Sequence, residues 1–325
     1  MNVRVEFQAD VRKSDLQTDI RHSWIQQLIK HARRDKVLLL IISPVVLYFF
    51  IFHYIPMYGI IIAFKKFQPI NGILGSPWAG FMYFEQFFNS IYFWRLLRNT
   101  LLLSLNTLFW GFPVPILFAL LINELRESLF KKTVQTISYL PHFISIVVVI
   151  GMIVNFTSPT DGIINLLLAK LGMEPINFLN SPDWFRTIYV SSGIWQGFGW
   201  GSIIYLAAIS AIDPQIYEAA EIDGARRWHK MMHVTLPGIL STVIILFILA
   251  VGQLMEVGFE KILLLYSPTT YETADVISTF VYRRGVINSE YSFSAAIGLF
   301  NNLINLTLLL TVNYASKKVS ETSLW

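Results

Sequence analysis

Six long apolar stretches limit the folds that this chain can adopt. Crossing a hydrocarbon core of about 30 Å as an α-helix takes roughly 20 apolar residues. Only 14% of the residues are charged, against roughly 25% in an average soluble domain. The sequence therefore predicts an all-α membrane protein with six transmembrane helices. These cover approximately Val37–Phe64, Thr100–Ile122, Val134–Phe156, Thr187–Ala211, Gly238–Leu265 and Phe293–Tyr314.

Proline or glycine interrupts four of the predicted spans. We expect kinks in the first two spans and breaks in the third and fourth, where neighbouring helices or cavity water can satisfy the freed backbone groups. The positions concerned are Pro44 and Pro56, Pro113 and Pro115, Pro141 and Gly199.

The distribution of basic residues predicts the orientation. Six spans place both termini on one side of the membrane, and sixteen of the 25 Lys and Arg residues then fall on that side. Cytoplasmic loops carry an excess of Lys and Arg, so both termini and the loop Asp213–Pro237 are predicted to be cytoplasmic. Membrane topology thus accounts for the net charge of +4 without a nucleic-acid partner.

The predicted organisation has three parts. Residues 1–36 form a cytoplasmic N-terminal segment in which Ile20, Trp24 and Leu28 recur every four residues. That spacing suits a short helix on the membrane surface, and a frayed tail with chance periodicity is the alternative. Residues 37–314 form the transmembrane domain, and residues 315–325 form a cytoplasmic tail.

The loop Asp213–Pro237 is the longest polar interruption in the second half of the chain. Asp213 followed by Pro214 is a helix-start signal, because the Asp side chain caps the helix and proline needs no donor at its first position. Gly224 is predicted to end this helix, and "ARRWHKMMH" forms a second helical piece. Two short helices joined by a glycine turn would make a docking knob beneath the membrane.

The segment "EAAEIDGARRWHKMMHVTLP" resembles the EAA loop of bacterial ABC importer permeases. Six positions match the spacing of that motif, and Val234 stands where the motif usually has Ile. "IFHYIPMYGIIIAFKKF" is similar to the first span of sugar permeases of the polysaccharide branch, which includes the alginate importers. The matching EAA residues are Glu218, Ala219, Ala220, Gly224, Leu236 and Pro237.

The resemblance implies a type I ABC importer permease fold and a set of partners. These are a second, similar permease subunit, two ATP-binding subunits and a periplasmic or tethered sugar-binding protein, all in or at the bacterial cytoplasmic membrane. The chain has no G-x-x-x-x-G-K-[ST] phosphate loop, so ATP and Mg are expected on the partner ATPase and no cofactor in this chain. The resemblance also implies that Glu218 to Gly224, with Asp223 among them, form the coupling helix.

Polar residues inside the predicted spans are the candidates for a substrate path, since such groups are costly in lipid and usually face a cavity or another helix. Carbohydrate recognition uses amides, carboxylates and aromatic rings. Gln253, Glu256 and Glu260 share one face of the predicted fifth span. Bonding between helices is the alternative role for the amides, and packing or anchoring for the Trp residues. The candidates are Gln253, Glu256, Asn301, Asn302, Asn305, Trp195, Gln196 and Trp200.

Other functions remain as alternatives. An ion-coupled secondary transporter would need a proton or ion relay, and Glu256 is the only plausible intramembrane carboxylate in the sequence pattern. A membrane-embedded enzyme would need clustered catalytic side chains, and a membrane anchor for a cytoplasmic complex would need only the docking loop. Arg283 and Arg284 could bind a binding protein or an acidic glycan, or lie in a plain solvated loop. No metal site is predicted, because His229 and His233 lack a third ligand.

Overall fold

The structure is a computed structural model that describes residues 34–320. The predicted N-terminal helix at Ile20, Trp24 and Leu28 and the last five residues lie outside this range. The chain divides into two compact units, Met1–Ile61 and Ile62–Trp325. Within the described range the structure is helical, with one isolated bridge between Lys65 and Trp78 and no strand.

The longer helices are numbered in chain order. They are α1 (Lys36–Phe49), α2 (Met82–Phe88), α3 (Phe93–Asn106), α4 (Pro113–Asn123), α5 (Leu129–Tyr139), α6 (Ile146–Phe156), α7 (Ile163–Lys170), α8 (Pro182–Ser210), α9 (Pro214–Ile222), α10 (Leu240–Gly252), α11 (Phe259–Leu265), α12 (Ile277–Tyr282) and α13 (Tyr291–Ser320).

Shorter segments join these helices. The α-helical turns are Ile55–Met57, Gly72–Gly75, Arg227–Lys230, Leu236–Gly238 and Tyr271–Ala274. Turns of 3₁₀ helix are Tyr58–Phe64, Pro69–Asn71, Leu140–Phe143 and Pro268–Thr270. Widened π turns are Phe50–Tyr54, Thr107–Gly111, Met231–Thr235 and Arg283–Ile287.

The predicted first, second and sixth spans are confirmed as long apolar helical segments. Within residues 34–320 they are Lys36–Phe64, Phe93–Asn123 and Tyr291–Lys318. Two bent pairs of helices raise the number of apolar crossings to five at most. The predicted fourth span is the 29-residue helix α8, which is long enough to cross but too polar to count among these apolar segments.

The third and fourth spans differ from each other at their predicted breaks. The third bends by 99° between Phe143 and Ile146, close to Pro141 as expected. Gly199, by contrast, does not interrupt α8. A Cβ at this position would overlap the carbonyl of Ser138, so the glycine lets the two helix backbones approach closely.

The predicted fifth span is wrong in its second half. Helix α10 ends at Gly252, and the chain runs without helical structure until α11 begins at Phe259. The Met255 N–H donates to Asn305 Oδ1 at 2.8 Å, and the Asn301 amide donates to the Met255 carbonyl at 3.4 Å. Asparagines of α13 therefore satisfy backbone groups that the interrupted helix has released.

Three buried apolar clusters hold Ile62–Trp325 together. One joins α8 to α11 through Phe185, Val190 and Ile262, and a second lies between α3, α12 and α13. The third packs α4 against α8 near the start of the Asp213–Pro237 loop. The helices that carry this loop are thus fixed to the centre of the unit.

Candidate functional sites

The Asp213–Pro237 loop has a rigid first helix. The Asp213 side chain accepts a hydrogen bond from the Gln215 N–H at 2.9 Å, and Pro214 occupies the first turn of α9. This confirms the predicted helix start, in which the carboxylate satisfies one of the unpaired backbone donors.

Gly224 ends α9 in the predicted way. Its φ of +77° lies in the left-handed region, which side chains with a Cβ rarely adopt. The Gly224 N–H donates to the Glu221 carbonyl at 3.0 Å, and the Ala225 N–H donates to the Ala220 carbonyl at 2.9 Å. These two bonds form a Schellman motif, which fixes the direction in which the chain leaves the helix.

Two side-chain contacts hold the second arm of the loop against the first. Tyr217 donates to the Thr235 hydroxyl at 3.0 Å, and Lys230 forms an ion pair with Glu221. The hydrogen bond from Lys230, together with its charge, lowers the pKa of Glu221 below its ordinary value. The loop Asp213–Pro237 therefore forms an elbow, which is a packed unit of two short helices.

The predicted coupling residues lie mostly on the surface of this elbow. Exposed positions are Glu218, Ala219, Asp223, Gly224 and Pro237, while Ala220 and Leu236 are half-buried. Three large apolar side chains are exposed beside them, with fractions of 51% for Ile216, 87% for Ile222 and 63% for Trp228. A polar loop that exposes such residues presents a surface suited to a protein partner.

A cavity of about 540 Å³ lies between α3, α4, α8 and the interrupted fifth span. Its size is within the range of small-molecule sites in proteins. Gln253, Glu256 and Gln196 line the cavity, as do Ser104 and Thr107. The structure thus brings together three of the predicted substrate-path residues.

The other substrate-path candidates lie elsewhere. Asn301 and Asn305 bond to the interrupted fifth span, and Asn302 is exposed. Trp195 and Trp200 do not line the cavity, and Trp200 stacks on the ring of His142 with centroids 4.7 Å apart. Gln196 has a structural contact as well, because its amide donates to the Ile144 carbonyl at 2.9 Å beside the bend of the third span.

The expected common face of Gln253, Glu256 and Glu260 is not present. Gln253 caps the end of α10, Glu256 lies in the non-helical stretch, and Glu260 is in the first turn of α11. The prediction assumed a continuous helix, so the spacing of three and seven residues no longer fixes a face.

Arg283 and Arg284 are not in a plain solvated loop, and that interpretation is wrong. Arg283 donates to both carboxylate oxygens of Asp275 at 2.9 and 2.7 Å, and Arg284 pairs with Glu290 at 2.7 Å. Asp275 is fully buried and also accepts from Arg95 at 3.3 Å. Asp275 was not among the predicted site residues, although an acid beside apolar residues in "TADVIS" was an available signal.

Lys261 is a second residue that sequence reasoning missed. The structure places its side chain at the wall of the cavity beside Tyr189. The position of the break in the fifth span was needed to locate it.

Within residues 34–320, no group of three or more metal-ligating side chains is arranged to hold an ion.

The geometry defines a helical membrane subunit with a cavity between its helices and a packed elbow on the loop Asp213–Pro237. Residues 111–321 match the profile of the family described as binding-protein-dependent transport system inner membrane component, and the chain belongs to this family. Its members are ABC transporter permeases, which are translocation subunits rather than enzymes.

Two relatives from Bacillus subtilis cover most of the chain. Protein LplB is 43% identical over 90% of this chain and 92% of its own length. The polygalacturonan/rhamnogalacturonan transport system permease protein YteP is 46% identical over 90% of this chain and 91% of its own length.

Two solved structures have the same fold. One is a crystal structure of a bacterial ABC transporter involved in the import of the acidic polysaccharide alginate. A chain of it superimposes with a TM-score of 0.84 and 46% identity, over 90% of this chain and 99% of that one. The other is a bacterial alginate ABC transporter in complex with a periplasmic protein bound to an alginate pentasaccharide, with a TM-score of 0.84 and 45% identity over 91% and 99%.

Proposed function

We propose that this chain is one permease subunit of an ATP-driven importer that carries an acidic oligo- or polysaccharide, such as alginate, across the bacterial cytoplasmic membrane. Relatives named for polygalacturonan transport and for alginate import support an acidic saccharide. The complex would contain a second permease subunit, two ATP-binding subunits that hold ATP and Mg, and a sugar-binding protein. The periplasmic protein in one of the similar structures supports the last of these partners.

The elbow Asp213–Pro237 is the observation that carries the coupling role. Helix α9 is capped at its start, fixed by a Schellman motif at its end and tied to the second arm through Tyr217. Force applied to such a packed unit moves its flanking helices, α8 and the segment leading into α10, rather than bending the loop. The exposed apolar side chains Ile222 and Trp228 offer the ATPase a surface to cover.

The import cycle that we propose uses this arrangement. ATP binding closes the two ATP-binding subunits, and the coupling helices of both permeases move with them. The attached spans then tilt and open the cavity toward the binding protein, and hydrolysis returns it to face inward. Both termini and the elbow lie in the cytoplasm in this account.

Substitutions in the elbow test the proposal. Gly224→Val strains a residue in the left-handed region at a cost of about 1–2 kcal/mol, which lowers the equilibrium constant for the native turn roughly 5- to 30-fold. We expect loss of the ATP-binding subunit from an affinity-tagged complex and a matching loss of alginate-oligosaccharide uptake. Glu218→Ala is expected to weaken both in the same direction.

Matched variants exist on the other side of the membrane. Gly172 also has a positive φ, of +74°, and, like Gly224, no atom within 4 Å of an added Cβ, so Gly172→Val imposes the same strain away from the elbow. Glu174→Ala likewise removes an exposed carboxylate there. If the elbow variants and these controls behave alike in assembly and uptake, the coupling role is wrong.

A further inference from the structure

Lys261 has an unusual position for an ammonium group. It lies in α11, its side chain is nine-tenths buried with 8% exposure, and it lines the cavity. Its Nζ donates to the Tyr189 carbonyl at 2.8 Å and lies 4.7 Å from the centre of the Tyr189 ring. One contact is with a carbonyl dipole and the other with the π face of a ring, and a buried ion held only in this way lacks most of the compensation that an opposite charge would give.

No carboxylate within residues 34–320 forms an ion pair with Lys261. Glu256 lines the same cavity but is exposed to solvent, and Glu260, the preceding residue, is exposed too. Solvent screens the charges of these two acids, whereas the buried ammonium is screened much less. An ammonium has three N–H donors, and the Tyr189 carbonyl takes one of them.

A glycine lies beside this lysine in the wall of the cavity. Gly193 of α8 lies next to the ammonium group, because a Cβ at this position would be 3.2 Å from Lys261 Nζ. Both residues line the cavity, together with the hydroxyl-bearing Ser104 and Thr107 and the amides of Gln196 and Gln253. Besides the exposed carboxylate of Glu256, the cavity thus presents neutral polar groups and one buried, unpaired cation, and this cation is chemically complementary to a sugar that carries a carboxylate.

We infer that Lys261 binds the carboxylate of an acidic saccharide in the cavity and thereby determines a preference for anionic over neutral sugars. This inference rests on the proposed import function. In it the amides and hydroxyls of the cavity bond to sugar hydroxyls, and the ammonium supplies the attraction that depends on charge. If the lysine only tethered α11 to α8, its substitution would change the uptake of neutral and anionic sugars equally.

The test uses the complete complex, isolated from its native membranes and reconstituted in vesicles. Uptake of a galacturonate trisaccharide is compared with uptake of its fully methyl-esterified form, which has the same sugar units, one added methyl group per carboxylate and no charge. We expect the wild type to prefer the acid. Lys261→Met, which keeps an unbranched side chain one atom shorter, should raise KM for the acid by about 10- to 100-fold, as loss of one hydrogen bond to a charged group predicts.

Further variants separate charge from packing. Lys261→Arg retains a cation and should retain the preference for the acid. Gly193→Ala leaves Lys261 in the chain but places a Cβ 3.2 Å from its Nζ, so the ammonium has to shift and the preference for the acid over the ester should fall. It also serves as the deciding variant if Lys261→Met does not assemble.

The outcomes distinguish the two proposals. An equal change for both sugars in Lys261→Met, or no change for either, overturns the role of Lys261 while import itself stands. A wild-type complex that imports only the ester also overturns it. A wild-type complex that imports neither sugar contradicts the proposed function as well.

Discussion

At the scale of single residues, Asp275 is the centre of a buried polar network that the sequence did not predict. Its side chain is fully buried and accepts hydrogen bonds from two arginines, Arg95 and Arg283, and from Thr279 at 2.9 Å. Asn99 links this group to α8, because it donates to the Asp275 carbonyl and accepts from Arg186 at 2.9 Å. The carboxylate thus joins side chains from α3, α12 and the π turn Arg283–Ile287, while Asn99 connects the Asp275 backbone carbonyl to α8.

Asp275→Asn is expected to lower the free energy of unfolding by about 3 kcal/mol, because it leaves the charge of Arg283 without its buried partner. Thermal unfolding of the detergent-solubilised complex, followed by intrinsic fluorescence, measures the change. Glu272→Gln is the matched control, since that acid is exposed three residues earlier. Equal unfolding temperatures for the two variants would contradict a stabilising role for the buried pair.

At the scale of helices, the interruption of the fifth span is the main departure from the sequence prediction. The run from Gly238 to Leu265 is apolar enough to cross as one helix, but the chain leaves helical geometry after Gly252. Asn305 makes this possible, because its carbonyl oxygen takes the place of a helical acceptor for the Met255 N–H.

Asn305→Leu should destabilise the fold by about 1–3 kcal/mol, since it leaves the Met255 N–H buried without an acceptor. Asn302→Leu is the control, because Asn302 is exposed on the same helix and the change is of the same kind. Thermal unfolding of both variants distinguishes them. A drop of similar size for Asn302→Leu would mean that loss of polarity on α13, rather than the bond to Met255, causes the effect.

The sequence predicted what depends on local chemistry and missed what depends on distant contacts. Asp213, Pro214 and Gly224 define the elbow because caps and left-handed turns are decided within a few residues. The break after Gly252 depends on Asn305, about fifty positions later, and the site of Lys261 depends on that break. Hydropathy located the spans but could not show which polar residues face a cavity.

At the scale of the whole molecule, the absence of cysteine allows the orientation to be tested directly. The chain contains no Cys, so a single introduced thiol is the only one in this subunit. Leu74, which is 81% exposed, lies on the side predicted to face outward, and the exposed Arg126 lies on the side predicted to be cytoplasmic.

A membrane-impermeant maleimide should label Leu74→Cys in intact spheroplasts and should label Arg126→Cys only after the membrane is opened. The cysteine-free parent chain is the background control. Labelling of Arg126→Cys in sealed cells would reverse the predicted topology and place the elbow outside.

The gap between Gly252 and Phe259 has a consequence for what can surround this subunit. Thirteen residues of α10 rise only about 20 Å, at roughly 1.5 Å each, which is less than the thickness of a hydrocarbon core. The gap also exposes the polar side chains of Gln253 and Glu256, which acyl chains cannot solvate. The side of the cavity that carries this gap must face water or another polypeptide. In a bilayer that contained this subunit alone, lipid would contact that side instead.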